Sequence, residues 1–423
     1  MTCRNAAWVA PGSRVRADGE GALVTTIVVI GTGYIGLPAA LMWAKSGAEV
    51  VGVDIDENVV KTINDRTLLV NERELDALFA DPEVRRNLRA THDVPEADVF
   101  VIAVPTPVDP LRKVADLSHV DAAIRSIAPV LRAGNLVIVE STIPPRTCRD
   151  VIKPLIEELT SMRVPEDVKV AHCPERILPG DIFTEIVRNE RLIGGMDDES
   201  TARATEIYGL FVKGTLHPTS AVVAELAKLM ENAYRDINIA IANEFAAICE
   251  YVGADADEVI PLANHHPRVN ILRPGIGVGG HCIPVDPWFL REVAPYDSSL
   301  ITAARLLNDG VPLKMAHRIQ EAVQDVAEPK IVLLGATYKR DCEDTRESPA
   351  LQIYSLLQND SCDVHVFDPL VEDLRYESLS AVAQDAHLLV VLVAHREITD
   401  ELAADATRIR SVMARPEILV LDR

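Results

Sequence analysis

The chain has 423 residues, 48% hydrophobic and 25% charged, with a formal net charge of −22. That length exceeds one ordinary core and predicts two or three domains, and the composition excludes disorder and coiled coil as the overall state. The acidity argues against nucleic acid and membrane surfaces as partners, so an anionic ligand must be met by basic side chains gathered locally.

Residues 1–24 read as a disordered tail of mixed charge with no periodicity, or as the product of a start codon set too early. Residues 1–20 lack the apolar run of a secretory signal. The stretch from Gly21 to Ala44 carries no charge, which would suit a membrane span, but Gly31, Gly33, Gly36 and Pro38 interrupt it. A strand–turn–helix unit fits better. Ile27 to Ile30 is a β-branched run, GTGYIG follows at Gly31 to Gly36, a helical stretch runs to Ser46, and a second strand from Glu49 to Val53 ends at Asp54. The three glycines suit a tight turn, close approach of backbone to a pyrophosphate at the helix N-terminus, and close helix–strand packing. Asp54 suits the ribose hydroxyls of NAD and disfavours NADP.

The α/β alternation continues. Strands at Asp98–Val104, Leu136–Val139 and Val168–Ala171 each end in a polar or proline-rich turn, PTP, ESTIPP and HCPER. Carboxyl ends of parallel strands line the ligand crevice of an open sheet, which makes Thr106 and Thr142 candidates for touching cofactor. A long helix is predicted from about Ala221 to Tyr251. Glu225, Lys228, Asn232 and Arg235 share one of its faces, and the helix is apolar nearly all round after Arg235, which predicts burial. NHHPRVN, at Asn264 to Asn270, leads into GIGVGGHCIPVDP at Gly275 to Pro287. A cysteine at the end of such a glycine loop is placed like a nucleophile, with Asp286 four residues on to handle protons or water; the plainer reading is a turn with an inert thiol. His281 either raises the thiolate fraction of Cys282 or is structural. A second helical segment is expected around Ser299 to Asn308. A further α/β unit follows: strands at Lys330–Leu334, Val364–Asp368 and His387–Val393, and a helix over Pro349–Gln358. Its first loop holds Lys339, Arg340 and Arg346, which suit a diphosphate.

The seven cysteines are scattered, with no CxxC pair and no His/Cys cluster at zinc-ligand spacing. Free thiols in a reducing cytoplasm are the natural reading, and no metal is expected. The expected fold is α/β: two doubly wound Rossmann-like domains joined by a long central helix and a helical dimerisation region. The expected boundaries are 25–216 for NAD, 217–310 for the central helical part with the Gly-Cys loop, and 311–423 for the second nucleotide. A dehydrogenase with such a cysteine could carry an alcohol through to an acid, since a thiolate adds to an aldehyde and loss of hydride leaves a thioester.

GVGGHCIPVDP, ELAKLMENAYRDINIAIANE, CPERILPG and TYKRDCEDTRES together resemble the nucleotide-sugar 6-dehydrogenases, in order, over about residues 25–420. ANHHPRVNILRPG and GGHCIPVDPWF resemble the branch acting on UDP-N-acetyl-D-mannosamine. The resemblance implies Cys282 as nucleophile and Lys228 as a proton-moving, oxyanion-stabilising group. It implies that Asp286 polarises Lys228 or water, and that Glu175 is a candidate base for thioester hydrolysis. It implies substrate contacts from Arg176, Ile177, Asn232, Arg235 and Gly279, from His266 and Arg268 in a homodimeric partner, and from Tyr338 and Lys339 on the UDP side. Gly31, Gly33, Tyr34, Ile35, Gly36, Asp54, Thr106 and Thr142 are implied around NAD, with Arg346 reaching cofactor across the dimer. UDP-N-acetylglucosamine and UDP-glucose remain open as substrates. So do a one-step alcohol dehydrogenase with a structural Cys282 and a non-catalytic nucleotide-sugar-binding protein.

Overall fold

The computed structural model describes residues 25–67, 75–177, 182–358 and 362–422, so the tail expected over 1–24 lies outside the described residues. The chain divides into two compact units after Leu229.

The first unit is built on an eight-stranded sheet. Its strands are β1 (Thr26–Ile30), β2 (Glu49–Val53), β3 (Leu88–Thr91), β4 (Val99–Ile102), β5 (Leu136–Val139), β6 (Lys169–His172), β7 (Arg191–Gly195) and β8 (Leu216–Ser220), in the order β3-β2-β1-β4-β5-β6-β7-β8. All neighbours are parallel except β6 and β7. Alternate residues of β1 enter different cores: Ile27 and Val29 pack on one face of the sheet, Val28 and Ile30 on the other. Burial on both faces is why these strands read as continuous apolar runs. Helix α1 (Gly36–Lys45) follows the glycine turn and is buried along nearly its whole length.

The second unit contains a four-stranded parallel sheet of β9 (Lys330–Leu334), β10 (Asp363–Phe367), β11 (Leu388–Val391) and β12 (Ile418–Val420), in the order β10-β9-β11-β12. Ile331 and Leu333 face one core and Val332 and Leu334 the other, as in the first sheet.

The two sheets repeat one turn. Gly31 (φ +86°) donates its N–H to the Val53 carbonyl at 2.8 Å, and Gly335 (φ +89°) donates to Phe367 at 2.8 Å. The next N–H, of Thr32 or Ala336, meets Oδ2 of the acid ending the neighbouring strand, Asp54 at 2.9 Å or Asp368 at 2.6 Å. Two residues past each acid, the N–H of Asp56 or Leu370 meets its Oδ1, at 3.1 and 2.8 Å. The left-handed backbone at both positions favours glycine. The second turn lacks GxGxxG, so its kinship with the first is visible only in these bonds.

Helix α2 (Ala221–Val252) ends one residue beyond its expected limit. The unit division falls inside it. α3 (Asp286–Val293), α4 (Ser299–Ala322) and α5 (Pro349–Gln358) complete the elements that position the site. Two expectations need correction. α4 is far longer than the expected Ser299–Asn308: Pro312 interrupts the sequence pattern but not the helix. The distal half of α2 is not buried all round in a single chain, because Ile241, Phe245, Ile248 and Tyr251 are exposed. Apolar character on every face marks what a helix can bury, not what one chain supplies to cover it.

Candidate active site

In the first unit the glycine turn and strand ends form the cofactor face. A Cβ on Gly36 would fall 1.9 Å from the Gly31 carbonyl oxygen, so this glycine is required by the turn itself. A Cβ on Gly33 would meet nothing within 4 Å. The backbone there is open to the close approach that a pyrophosphate makes in such turns. Helix α1 has no side-chain cap and no acidic residue in its first turn, which leaves its positive dipole end for an anion. Tyr34 and Ile35 stand at that entry, half-buried. Asp54 accepts from Thr32 N and Oγ1 through Oδ2, at 2.9 and 3.1 Å, and from Asp56 N through Oδ1, and stays half-buried with one acceptor site on Oδ1 left for a ribose hydroxyl. The residues fit NAD. Thr106 donates from Oγ1 to the Thr142 carbonyl at 2.6 Å, so the ends of β4 and β5 are brought together as the alternation predicts.

Glu175, after β6, is the end of a buried ionic chain that the sequence reading missed. Its Oε2 pairs with Nη2 of Arg191, and its Oε1 accepts the Arg176 N–H at 2.7 Å. Arg191 Nη1 reaches Glu140 Oε1 at 3.0 Å, Tyr208 donates to the same oxygen at 2.6 Å, and the guanidinium lies 4.4 Å from the Tyr208 ring centre. Burial pushes the Glu140 carboxyl up, against the pull of Arg191. Ile177 sits beside this chain against the core of the first sheet.

On α2, Glu225 and Lys228 are buried. The Glu225 carboxylate accepts the backbone N–H groups of Arg146 and Cys148 at 2.5 and 2.9 Å and pins the loop after Thr142. His172, at the end of β6, is fully buried, and burial first, then the charge of Lys228, push its pKa down to about 3.

The second unit holds the glycine loop. Its frame is a buried polar network between α2 and α4. Asp236 pairs with Arg305 and accepts from Asn308 Nδ2 at 2.9 Å. Asn243 bonds Asn308 at 3.1 Å and accepts the Gly275 N–H at 2.9 Å, which fixes the start of the loop. Asn232 donates to Asp286 Oδ2 at 2.6 Å, and both are buried. Arg235, three residues on, is exposed.

Gly279 is required by packing: a Cβ there would lie 2.6 Å from the Tyr338 Cβ and 2.7 Å from the Glu347 carbonyl. Tyr338 thus lies against the loop that carries the cysteine. Burial, with the Cys342, Asp344 and Cys282 charges, pushes its phenol up to about 12, so it remains a hydrogen-bond donor. Lys339 is exposed beside it. Of the two arginines in the loop, Arg340 pairs with Asp422 at 2.8 Å and Arg346 with Asp344 at 2.6 Å. Asp368 cannot serve a ribose as Asp54 can, because it is fully buried with Oδ2 3.1 Å from His395 Nε2. His266 and Arg268 are exposed on a loop closed by Asn264, which donates to the Ile271 carbonyl at 2.9 Å and accepts the Ile271 N–H at 2.7 Å.

Cys282 is half-buried and its Sγ lies 3.1 Å from His281 Nδ1. Its carbonyl accepts the N–H groups of Val285 and Asp286, which sets it at the head of the turn into α3. Cys148 and Cys173 differ: burial raises both thiols far from reactivity.

A dinucleotide turn in one α/β unit, and in the other a half-exposed cysteine on a glycine loop beside a basic loop, define an NAD-dependent oxidoreductase. Models of the UDP-glucose/GDP-mannose dehydrogenase family match the chain in sequence order: the NAD binding domain over residues 25–212, the central domain over 222–310 and the UDP binding domain over 332–422. The chain belongs to that family and is an NAD-dependent UDP-sugar dehydrogenase. It is 44% identical over 398 residues to a UDP-N-acetyl-D-mannosamine dehydrogenase of Methanocaldococcus jannaschii, covering 93% of this chain and 91% of the relative. An NDP-N-acetyl-D-galactosaminuronic acid dehydrogenase of Ralstonia nicotianae is 43% identical over 387 residues, covering 88% and 91%. The solved UDP-D-ManNAc dehydrogenase from Pyrococcus horikoshii superposes with a TM-score of 0.88 at 41% identity, covering 94% of this chain and 95% of that one. Among the described residues, no helix is long and apolar enough to cross a membrane.

Proposed function

We propose that this protein oxidises the C6 hydroxyl of UDP-N-acetyl-D-mannosamine to the carboxylate, in two oxidations, through a thioester on Cys282. The observation that carries the chemistry is the half-buried Cys282 thiol on the glycine loop at the head of α3, 3.1 Å from His281 Nδ1; Cys342 and Cys362 are half-buried too, and Cys148, Cys173 and Cys249 are buried. The names of relatives at 41–44% identity support the sugar. NAD, when bound, accepts hydride from C6. Lys228 takes and returns the proton of the C6 oxygen and steadies its negative charge. The Cys282 thiolate adds to the aldehyde, and the acyl group is left on sulfur after the second oxidation. Water then cleaves the thioester, with Asp286 or Glu175 as base. Asn232, Arg235, Arg176 and Ile177 hold the sugar and Tyr338 and Lys339 the uridine diphosphate; the product is a precursor for polysaccharide made in the cytoplasm.

The working form is a homodimer. Ile241, Phe245, Ile248 and Tyr251 on α2, with Leu300, Leu306 and Leu313 on α4, leave apolar area that a second copy would cover, and His266 and Arg268 then reach the partner's sugar. Light scattering of the wild type and of Phe245→Glu tests this: a monomeric wild type refutes it.

The Ralstonia relative favours a second reading, an N-acetylgalactosamine nucleotide as substrate. The deciding experiment is NADH yield at completion on UDP-N-acetylmannosamine, UDP-N-acetylgalactosamine, UDP-N-acetylglucosamine and UDP-glucose, with wild type and Cys282→Ala. Two NADH per UDP-N-acetylmannosamine, and no acid from the variant, is the expected result. One NADH with an unaffected variant makes Cys282 structural. Binding without turnover on any sugar makes the protein a nucleotide-sugar-binding protein.

A further inference from the structure

A thiol of ordinary pKa, about 8.5, is only a few per cent thiolate at pH 7, and a chain of net charge −22 adds a field that disfavours more anion. A nucleophilic cysteine here needs a local proton acceptor. Side chains of adjacent residues point apart in a strand, but residues 280–282 form a bend, and Gly280 (φ +82°) is tied to the Arg346 carbonyl at 3.0 Å. The bend turns the imidazole of His281 back onto its neighbour, with Nδ1 3.1 Å from Cys282 Sγ. His281 is itself exposed, so a proton it accepts can pass to water.

We propose that His281 is a catalytic residue, the base that takes the Cys282 proton for attack on the aldehyde. Resting on the thioester reading above, this assigns the thiol-activating base of that same site. Nδ1 accepts the thiol proton, which requires the neutral tautomer protonated on Nε2. The freed sulfur pair forms the S–C6 bond, the C=O π pair moves to oxygen, and the proton held on Nδ1 or one from water neutralises that oxygen. No oxidant is consumed in this step. Groups of the second unit that act on the pair include three on the loop against which it packs. The Asp344 carboxylate feels the His281 charge and favours the imidazolium; Arg346 feels the Cys282 charge and favours the thiolate; and the Tyr338 phenol stays neutral.

The test is iodoacetamide alkylation of Cys282 in the full chain, followed by mass spectrometry of its peptide from pH 5 to 10, without sugar or NAD, in wild type and His281→Asn. In wild type the rate should rise with a midpoint below about 7.5, and in His281→Asn the midpoint should move to about 8.5, with at least a tenfold lower rate at pH 6.5. A purely structural His281 would leave the midpoint in place. Coincident midpoints overturn the proposal. The readout needs no turnover, so a Cys282→Ala enzyme that still made acid would sink the thioester reading by a separate result.

Discussion

Arg191→Met strips the guanidinium from between two buried carboxylates. The side chains of Arg191, Glu140 and Glu175 are 4, 0 and 7% exposed. Removing one partner of a buried ion pair costs about 3–5 kcal/mol, because the other charge stays buried without it. Protonation can relieve the part of this cost that falls on Glu140. Glu140, whose carboxyl burial already pushes up, can take a proton instead, and at pH 7 that costs about 3.7 kcal/mol from an ordinary glutamate pKa. At pH 5 the same protonation costs only about 1 kcal/mol. The variant should therefore lose about 3–4 kcal/mol at pH 7 and markedly less at pH 5. The sign follows from a folded-state pKa raised above the unfolded one: stability is present at low pH and lost as pH rises. Glu140→Gln added to Arg191→Met should recover part of the loss at pH 7. The assay is urea unfolding followed by Trp43, which packs 5.5 Å from Tyr208, in a Trp8→Phe, Trp288→Phe background. A loss under about 1 kcal/mol at pH 7, or one equally large at pH 5, would refute the reasoning.

His172 is held neutral by burial with a pKa of about 3. The unfolded chain binds its proton first, so folding should weaken by about 1.4 kcal/mol per pH unit as pH falls below about 6.5, and His172→Leu should flatten that slope in acid-dependent urea unfolding. Burial alone would raise the Asp368 carboxyl, but bonds from His395, Ala336 and Leu370 hold it below the usual range. Its contribution is present above the unfolded pKa of about 3.9 and is lost as pH falls toward the folded value; Asp368→Asn should lower stability at pH 7 and remove that acid limb from the titration of the second unit. Asn232→Ala removes a 2.6 Å donor from buried Asp286 and should cost about 1.5–3 kcal/mol by urea unfolding; an unchanged midpoint would mean that Asp286 finds other donors at no cost.

The sequence by itself determined the dinucleotide turn, the strand ends that carry Thr106 and Thr142, and the position of Cys282 on its glycine loop. Each is a local pattern: a β-branched run, glycines at fixed spacing, an acid at the next strand end. Tertiary structure decided the partners. Arg191 and Glu140 are 51 residues apart and Arg305 and Asp236 are 69 apart, and nothing in either neighbourhood marks its counterpart. Glu225 looks like a solvated stripe residue on a helical wheel, and only the fold turns it onto two backbone N–H groups. Asp54 and Asp368 end equivalent strands, yet one stays open to a ribose and the other is sealed by His395. Whether a side chain serves the ligand or the frame depends on which distant groups the fold packs around it, because burial and pairing set the free energy of a charge and periodicity does not report them.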